Sequence, residues 1–231
     1  MNEKDKDAII KRYQKRLHEL GAVPGALGEP KCRQSFYYHH LLDFPEAEHL
    51  ESLMDVGCGY GDLGRFLQTK GWRGRYVGVD IVPELIDEGR KRYPDFDLRC
   101  IDIEENPLVE KFDWAVAIGS LTGRVSELDY YDHLEKMIAT MWRHVTKGIS
   151  FNLFSPFVDF QSPVHYHPNI ARVCEIVCLH TRRFVLRNDF MPYEYAIYMY
   201  RDDEIDRERS IFKERNGIFD ALEVVKYGAK L

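Results

Sequence analysis

The chain has 231 residues, of which 38 are acidic and 32 basic, and its formal net charge is -6. This length suits one substantial α/β domain, and the 45% share of hydrophobic residues is ordinary for a globular protein. Proteins whose main partner is a phosphate backbone normally carry a basic face. The acidic balance therefore disfavours nucleic acid as a partner.

The first residues of the chain, its apolar runs and its cysteines indicate where in the cell we expect the protein. The first twenty residues are charged throughout, and no apolar run approaches the length of a membrane span. We therefore expect neither a signal peptide nor a membrane partner. Five scattered cysteines favour reduced thiols, which are typical of a cytoplasmic protein. A monomer and a homodimer both remain open.

Helix and strand patterns alternate along most of the chain. Residues 5–20 carry an apolar stripe at helical spacing, and a second helix is predicted in "CRQSFYYHHLLDF" after a loop rich in Gly and Pro. Strands and helices then alternate, which predicts a Rossmann-like, doubly wound, mostly parallel α/β sheet with an N-terminal helical lid. The seven predicted strands are "SLMDV", "GRYVGVD", "FDLRCID", "FDWAVAIGS", "GISFNLFS", "RRFVLRNDF" and "YEYAIYMYR".

We divide the chain into three segments. Residues 1–45 form the predicted helical cap, and residues 46–202 form the core. Residues 203–231 form a highly charged tail with a late apolar cluster, which we expect either as a helix docked on the core or as a partly mobile segment.

The most informative stretch is residues 53–66, which read "LMDVGCGYGDLGRF". Gly59, Gly61 and Gly64 spell the G-x-G-x-x-G of a dinucleotide-binding loop, in which a pyrophosphate rests on a helix N-terminus. Asp55 precedes these glycines and Asp62 lies among them, where carboxylates would repel a pyrophosphate. The match is therefore poor, although an NAD-dependent oxidoreductase stays as an alternative.

The same carboxylates would attract a cofactor that carries cationic groups. S-adenosylmethionine carries an ammonium and a sulfonium group, which nearby carboxylates attract. Asp80 ends the second strand about twenty residues after the glycines, where an acid can bind a ribose diol. Asp102, at the end of the third strand, is a candidate for the adenine amino group.

These residues resemble a known family. The stretch 53–66 is similar to motif I of the class I S-adenosylmethionine-dependent methyltransferases, whose pattern is apolar-x-D-x-G-C-G-x-G. The later motifs of that family are matched in order by "YVGVDIVPELIDEGRKRYP", "RCIDIEE" and "FDWAVAIGS", so that the resemblance covers roughly residues 50–155. It implies S-adenosyl-L-methionine as the cofactor and methyl transfer as the activity.

The resemblance also implies where the cofactor lies. Asp80 would bind the ribose, Gly119 would lie under the sulfonium, and the N-terminal helices would either fold over the cofactor or simply cap the sheet. The implied contacts are Asp55, Gly57, Cys58 and Gly59 at the methionine end, Ile81, Asp102 and Ile103 around adenine, and Tyr13 and Gln34 in the lid, of which Arg16 would also be a part.

Two absences point to the acceptor. The fourth strand is followed by "AIGSLTGR", without the Asn/Asp-Pro-Pro-aromatic run that enzymes methylating amino groups of nucleic acid have there. The Pro-Cys pair of pyrimidine C5 methylation is also missing from that place. We therefore predict a small-molecule acceptor, methylated at oxygen or nitrogen, with a protein-directed methyltransferase as an alternative.

A candidate base lies in the segment after the fifth strand. The run "HYHP" brings together His165, Tyr166 and His167, and one of them is our candidate general base. The alternative is a pair of loop imidazoles that face solvent. No partner carboxylates accompany these histidines in the sequence, so no metal is predicted.

Overall fold

The computed structural model describes residues 3–28, 33–44, 47–124, 130–160 and 162–218. The predicted alternation of strands and helices is confirmed over these ranges. The helices are α1 Glu3–Leu20, α2 Gln34–Leu41, α3 Asp62–Thr69, α4 Pro83–Arg92, α5 Tyr130–Arg143 and α6 Ile170–Cys178. The strands are β1 Ser52–Val56, β2 Arg75–Asp80, β3 Asp97–Cys100, β4 Phe112–Ala117, β5 Val145–Phe154, β6 Phe184–Arg187, β7 Glu194–Tyr200, β8 Ile205–Asp206 and β9 Ile211–Phe212.

The main sheet has seven strands in the order β3-β2-β1-β4-β5-β7-β6. Its first five strands are parallel, whereas β7 runs antiparallel to both β5 and β6. The chain winds outward from β1 to β3 and then crosses back to β4. The reversal leaves a crevice beyond the carboxyl ends of β1 and β4, where ligands bind in doubly wound sheets.

Side chains fill both faces of the sheet, as expected for parallel strands that are covered on each side. One face packs against α5 and α6. The other packs against α2 and α3, and there Trp114 stacks on Phe44 with ring centroids 3.9 Å apart. The sheet is therefore a rigid base for the crevice at its edge.

The turn between β1 and α3 is built from glycines. Gly57, Gly59 and Gly61 have φ of +77°, +56° and +84°, which side chains with a Cβ rarely adopt. A Cβ on Gly57 would lie 2.4 Å from Cβ of Ser120, which follows β4. The turn thus closes tightly against the neighbouring strand end.

The N-terminal segment covers the carboxyl edge of the sheet. Ile10, Tyr13 and Leu17 of α1 pack on a small cluster formed by Tyr60, Val82 and Leu85. A short 3-10 turn, Pro24–Leu27, then leads toward α2. This arrangement is the helical lid that the sequence predicts. In the described ranges, no helix combines the length and the apolarity that crossing a membrane requires.

The described part of the charged tail differs from the expected helix. Residues 205–212 form a two-stranded ribbon, whose turn has Ser210 at a φ of +57°. Asp206 accepts hydrogen bonds from the backbone N–H groups of Glu208 and Arg209, which fixes a turn instead of starting a helix. Glu214 forms a 3.1 Å ion pair with Arg183, so this part is docked on the core. Residues 219–231, with most of the late apolar cluster, lie outside the described residues.

Candidate functional site

A cavity of about 470 Å³ occupies the crevice at the carboxyl edge of the sheet. Strand ends form its floor, and α1, the 3-10 turn and the start of α2 form its roof. The structure places every residue predicted for the cofactor on its wall, namely Tyr13, Gln34, Asp55, Gly57, Cys58, Gly59, Asp80, Ile81, Asp102, Ile103 and Gly119. Arg16, the third predicted lid residue, lines it too.

Asp80 is the best-held acid of the floor. One carboxylate oxygen accepts the N–H of Gly59 at 2.9 Å, and the other accepts the N–H of Val82 at 2.9 Å. Burial raises the pKa of Asp80 to about 6, although these backbone donors oppose the shift. Each carboxylate oxygen has a second lone pair, so the group can still accept hydrogen bonds from a diol.

Asp55, at the end of β1, is almost fully buried beneath the glycine turn. Its carboxylate accepts a 2.6 Å hydrogen bond from the hydroxyl of Tyr76. Burial raises its pKa to about 7, and the charge of Asp80 adds to the rise, although the hydrogen bond from Tyr76 opposes it. A cationic ligand nearby would favour the ionised form of both carboxyls.

Asp62 is the first residue of α3. Its carboxylate accepts the hydroxyl of Tyr93 at 2.7 Å in the first turn of α3, and the residue does not line the cavity. The negative charge of the floor therefore comes from acids at strand ends and not from the middle of the glycine turn. These acids are Asp55, Asp80, Asp102 and Glu104, together with Glu194 at the start of β7.

At the end of the cavity beyond β3, an ion pair connects the floor to α1 in the roof. One oxygen of Asp102 accepts the N–H of Glu104 at 3.0 Å, and the other lies 3.2 Å from Nζ of Lys6 on α1. His133 on α5 lies nearby, with Nδ1 at 3.5 Å from the Glu104 carboxylate. Burial lowers the pKa of His133, against the attraction of Glu104. Lys6 and Glu104 were not predicted from the sequence.

A second set of hydrogen bonds that sequence reasoning missed connects the floor to α2. The N–H of Gly119 donates to the side-chain oxygen of Asn152 at 2.7 Å. The amide of Asn152 donates to one oxygen of Glu194 at 2.6 Å, and the hydroxyl of Tyr37 donates to the other at 2.6 Å. The signal in the sequence was polar residues in apolar strands, "SFNLF" and "EYAIYMY". These bonds hold the strand end and α2 at a fixed separation.

Only one member of the "HYHP" run reaches the cavity. His165 lines it and stacks on Phe154 at 4.4 Å, with Nδ1 at 2.9 Å from the Ser162 hydroxyl. Burial lowers the pKa of His165, and the charges of Arg12 and Arg16 lower it further, so the imidazole is neutral near pH 7. Within the described residues, Nε2 has no hydrogen-bond partner.

His167 and Tyr166 support the loop instead. Nδ1 of His167 donates to the carbonyl of Ser155 at 2.7 Å, and its Nε2 accepts the N–H of Ser162 at 3.4 Å. Tyr166 stacks on Tyr130 at 4.1 Å. Neither lines the cavity, so His165 alone remains as the candidate base. Among the residues described, no three His, Cys, Asp or Glu side chains are grouped to hold a metal ion.

Comparison with known proteins supports a common fold and a common motif. Residues 53–148 match the family model described as "Methyltransferase domain". A protein of Mycobacterium tuberculosis named as a methyltransferase is 29% identical over 161 residues, which are 63% of this chain and 90% of that one. The trans-aconitate 2-methyltransferase of Escherichia coli is 30% identical over 98 residues, which are 42% of this chain and 39% of that enzyme.

A solved structure extends the likeness of fold beyond the matched motif. The magnesium protoporphyrin IX methyltransferase of Synechocystis, crystallised with bound SAM, superposes with a TM-score of 0.60 at 15% identity. The superposition covers 85% of this chain and 97% of that one. The likeness includes the mostly parallel seven-stranded sheet described above.

Proposed function

We propose that this chain, which belongs to the class I S-adenosylmethionine-dependent methyltransferases, methylates an oxygen or nitrogen atom of a small molecule. The observation that carries the small-molecule part is the roofed cavity of about 470 Å³, which would hold the cofactor and the acceptor together. Two similar proteins are named for small substrates, aconitate and magnesium protoporphyrin IX.

The floor of the cavity fits S-adenosylmethionine in shape and charge. Gly57, Gly59 and Gly119 line the cavity, and Gly119 offers close approach, since a Cβ there would meet nothing within 4 Å. Asp80 would hold the ribose, and Asp55 would favour the cationic methionine end. When bound, the cofactor supplies a methyl group attached to positively charged sulfur, and the protein orients an acceptor toward it.

The residues around the acceptor would handle its proton. His165 is neutral near pH 7, and its Nε2 can accept a proton from a hydroxyl or amine that becomes methylated. Asn152 and Glu194 would act by holding the Gly119 backbone in place, since their polar atoms are engaged with each other, with Gly119 and with Tyr37.

The cofactor and the acceptor class can be tested separately. In calorimetric titrations we expect S-adenosylhomocysteine to bind in the micromolar range and NAD to give no response. Radiolabelled cofactor, incubated with the protein and a cell extract, should then label the low-molecular-weight fraction. NAD binding without S-adenosylhomocysteine binding would overturn the cofactor, and label confined to protein would favour the protein-directed alternative.

The role of His165 has its own test. His165→Ala should lower the maximal rate and remove an inflection below pH 7 from the pH profile, while the affinity for S-adenosylhomocysteine stays unchanged. His167→Ala is the matched control, because that imidazole faces the loop. Identical pH profiles for the wild type and His165→Ala would reject the base.

We also propose a cytoplasmic location. The four described cysteines, Cys58, Cys100, Cys174 and Cys178, are all free thiols, which suits a reducing compartment.

A further inference from the structure

We propose that the acceptor carries an anionic group, a carboxylate or a phosphate, which Arg12 and Arg16 bind from the roof of the cavity. This inference rests on the proposed function and adds a substrate class to it.

The two arginines occupy the same face of α1. They are four residues apart, one helical turn, and both line the cavity together with Ile9 and Tyr13. Both are partly buried. The Arg16 guanidinium lies 5.7 Å from the centre of the Tyr13 ring, and a Cβ on Gly28 would lie 3.0 Å from its Nη1. Packing thus holds Arg16 at the cavity wall.

Neither arginine has a carboxylate partner within ion-pair distance in the part of the chain that the structure describes. Two other cations of α1 are paired, since Lys6 lies 3.2 Å from Asp102 and Lys15 lies 3.7 Å from Glu19. The acids of the floor do not reach Arg12 or Arg16 either. As far as the described residues go, the roof therefore presents two uncompensated positive charges to the cavity.

The surroundings of these charges favour an organic anion. Leu27, Phe154 and Val164 line the same cavity, and apolar walls strengthen an ion pair formed there. Like charges one helical turn apart repel each other, so an anion between them would relieve the repulsion. A guanidinium can give two parallel hydrogen bonds to a carboxylate or a phosphate.

The arginines are also close to the candidate base. All three side chains line the same cavity, and the charges of the arginines contribute to the lowered pKa of His165. An acceptor whose anionic group lies on the arginines would bring a neighbouring hydroxyl or amine toward His165. The competing occupant is the carboxylate of the cofactor itself, and the experiment must separate the two.

The test compares Arg12→Gln and Arg16→Gln with Lys15→Gln, which removes one positive charge from the solvent face of the same helix. Each protein is first titrated with S-adenosylhomocysteine. The protein saturated with that ligand is then titrated with tricarballylate, with inorganic phosphate, and with the uncharged trimethyl ester of tricarballylate. The first two probes distinguish a carboxylate site from a phosphate site.

We expect all four proteins to bind S-adenosylhomocysteine with affinities within about twofold of one another. The wild type and Lys15→Gln should bind one of the two anions and not the ester. Each arginine variant should bind that anion at least about tenfold more weakly. Equal melting temperatures across the set would exclude loss of folding as the cause.

Three results would overturn the inference. The wild type could bind neither anion, the arginine variants could bind the anion as well as Lys15→Gln does, or the variants could lose affinity for S-adenosylhomocysteine. The last result would assign the arginines to the carboxylate of the cofactor. Failure of the wild type to bind S-adenosylhomocysteine would instead contradict the proposed function, which makes the two failures distinguishable.

Discussion

The floor and the roof of the cavity differ in charge and in construction. The floor consists of buried strand ends whose acids, Asp55 and Asp80, are held by hydrogen bonds from the protein. The roof is a partly exposed helix that presents Arg12 and Arg16. A cationic cofactor suits the first surface, and an anionic acceptor suits the second. The cavity is therefore sorted by charge, with opposite signs on its two sides.

The largest expected effect is a loss of stability when the hydrogen bonds of Glu194, which connect the floor to α2 in the roof, are removed. Glu194→Ala leaves the Tyr37 hydroxyl and the Asn152 amide without their acceptor, so we expect unfolding free energy to fall by about 2–4 kcal/mol. Denaturant unfolding measures this. Glu194→Gln keeps one acceptor oxygen and should recover part of the loss. An unchanged midpoint for Glu194→Ala would contradict the role of Glu194 as the connection.

The second expected effect lies on the floor alone. Asp80→Ala removes the acceptor of two backbone N–H groups and the proposed acceptor of the ribose hydroxyls, and should weaken S-adenosylhomocysteine binding by about 1–3 kcal/mol. Calorimetric titration gives the value. The matched control is Asp87→Ala, an exposed acid on α4 whose partner is Arg90. Wild-type affinity in Asp80→Ala would remove Asp80 from the site.

A third expectation concerns pH. The pKa of Asp55 is about 7 and that of Asp80 about 6 before any ligand binds, and a cation lowers both. Binding of S-adenosylmethionine must therefore release protons at low pH. Its affinity should rise with pH by up to about tenfold per unit for each proton released, and level off above about pH 7.

The variant Asp55→Asn tests whether Asp55 causes the pH dependence of the affinity. The variant should show a flatter dependence near pH 7, because only Asp80 still titrates. The raised pKa of a folded carboxyl also means that stability without ligand is lost as the pH rises through that pKa. Between about pH 4 and about pH 7, the stability of Asp55→Asn should therefore fall less than that of the wild type as the pH rises. A flat affinity profile in the wild type would contradict the charge of the floor.

The smallest expected effect is at the ion pair that joins α1 to the floor. Lys6→Met removes the ion-pair partner of Asp102. Lys6 also forms an ion pair with Glu105 at the surface. Pairs of this kind contribute about 0–1 kcal/mol, so the affinity for S-adenosylhomocysteine should change less than about fivefold. Lys11→Met, exposed on the same helix, is the control. A larger loss would mean that Lys6 itself holds the closed roof.

The sequence predicted the principal acids of the floor and a lid above them, but it did not predict the charge that the roof presents, for a physical reason. Asp55, Asp80 and the glycines between them lie within one strand-turn-helix-strand stretch, residues 55–80, whose backbone geometry follows from local residue types. Arg12 and Arg16 lie on an amphipathic helix, where charges are ordinarily solvated. Only the docking of α1 over the strand ends places them in the cavity.

Two other features of the site were also missed or only partly predicted, because they depend on how distant segments pack together. Asn152 and Glu194 meet because β5 and β7 are antiparallel neighbours, a pairing that joins residues 42 positions apart. The "HYHP" run brought three polar rings together in sequence, but successive residues of an extended segment point to opposite sides. His165 therefore faces the cavity while Tyr166 packs on Tyr130.

The most direct test of this sorting by charge is a crystal structure of the protein with S-adenosylhomocysteine. We expect the ribose hydroxyls on the carboxylate of Asp80, with Arg12 and Arg16 out of hydrogen-bond reach of the ligand and facing the space left for the acceptor. A ligand carboxylate bound to either arginine, or a ribose bound away from Asp80, would contradict the division of the cavity into an acidic floor and a basic roof.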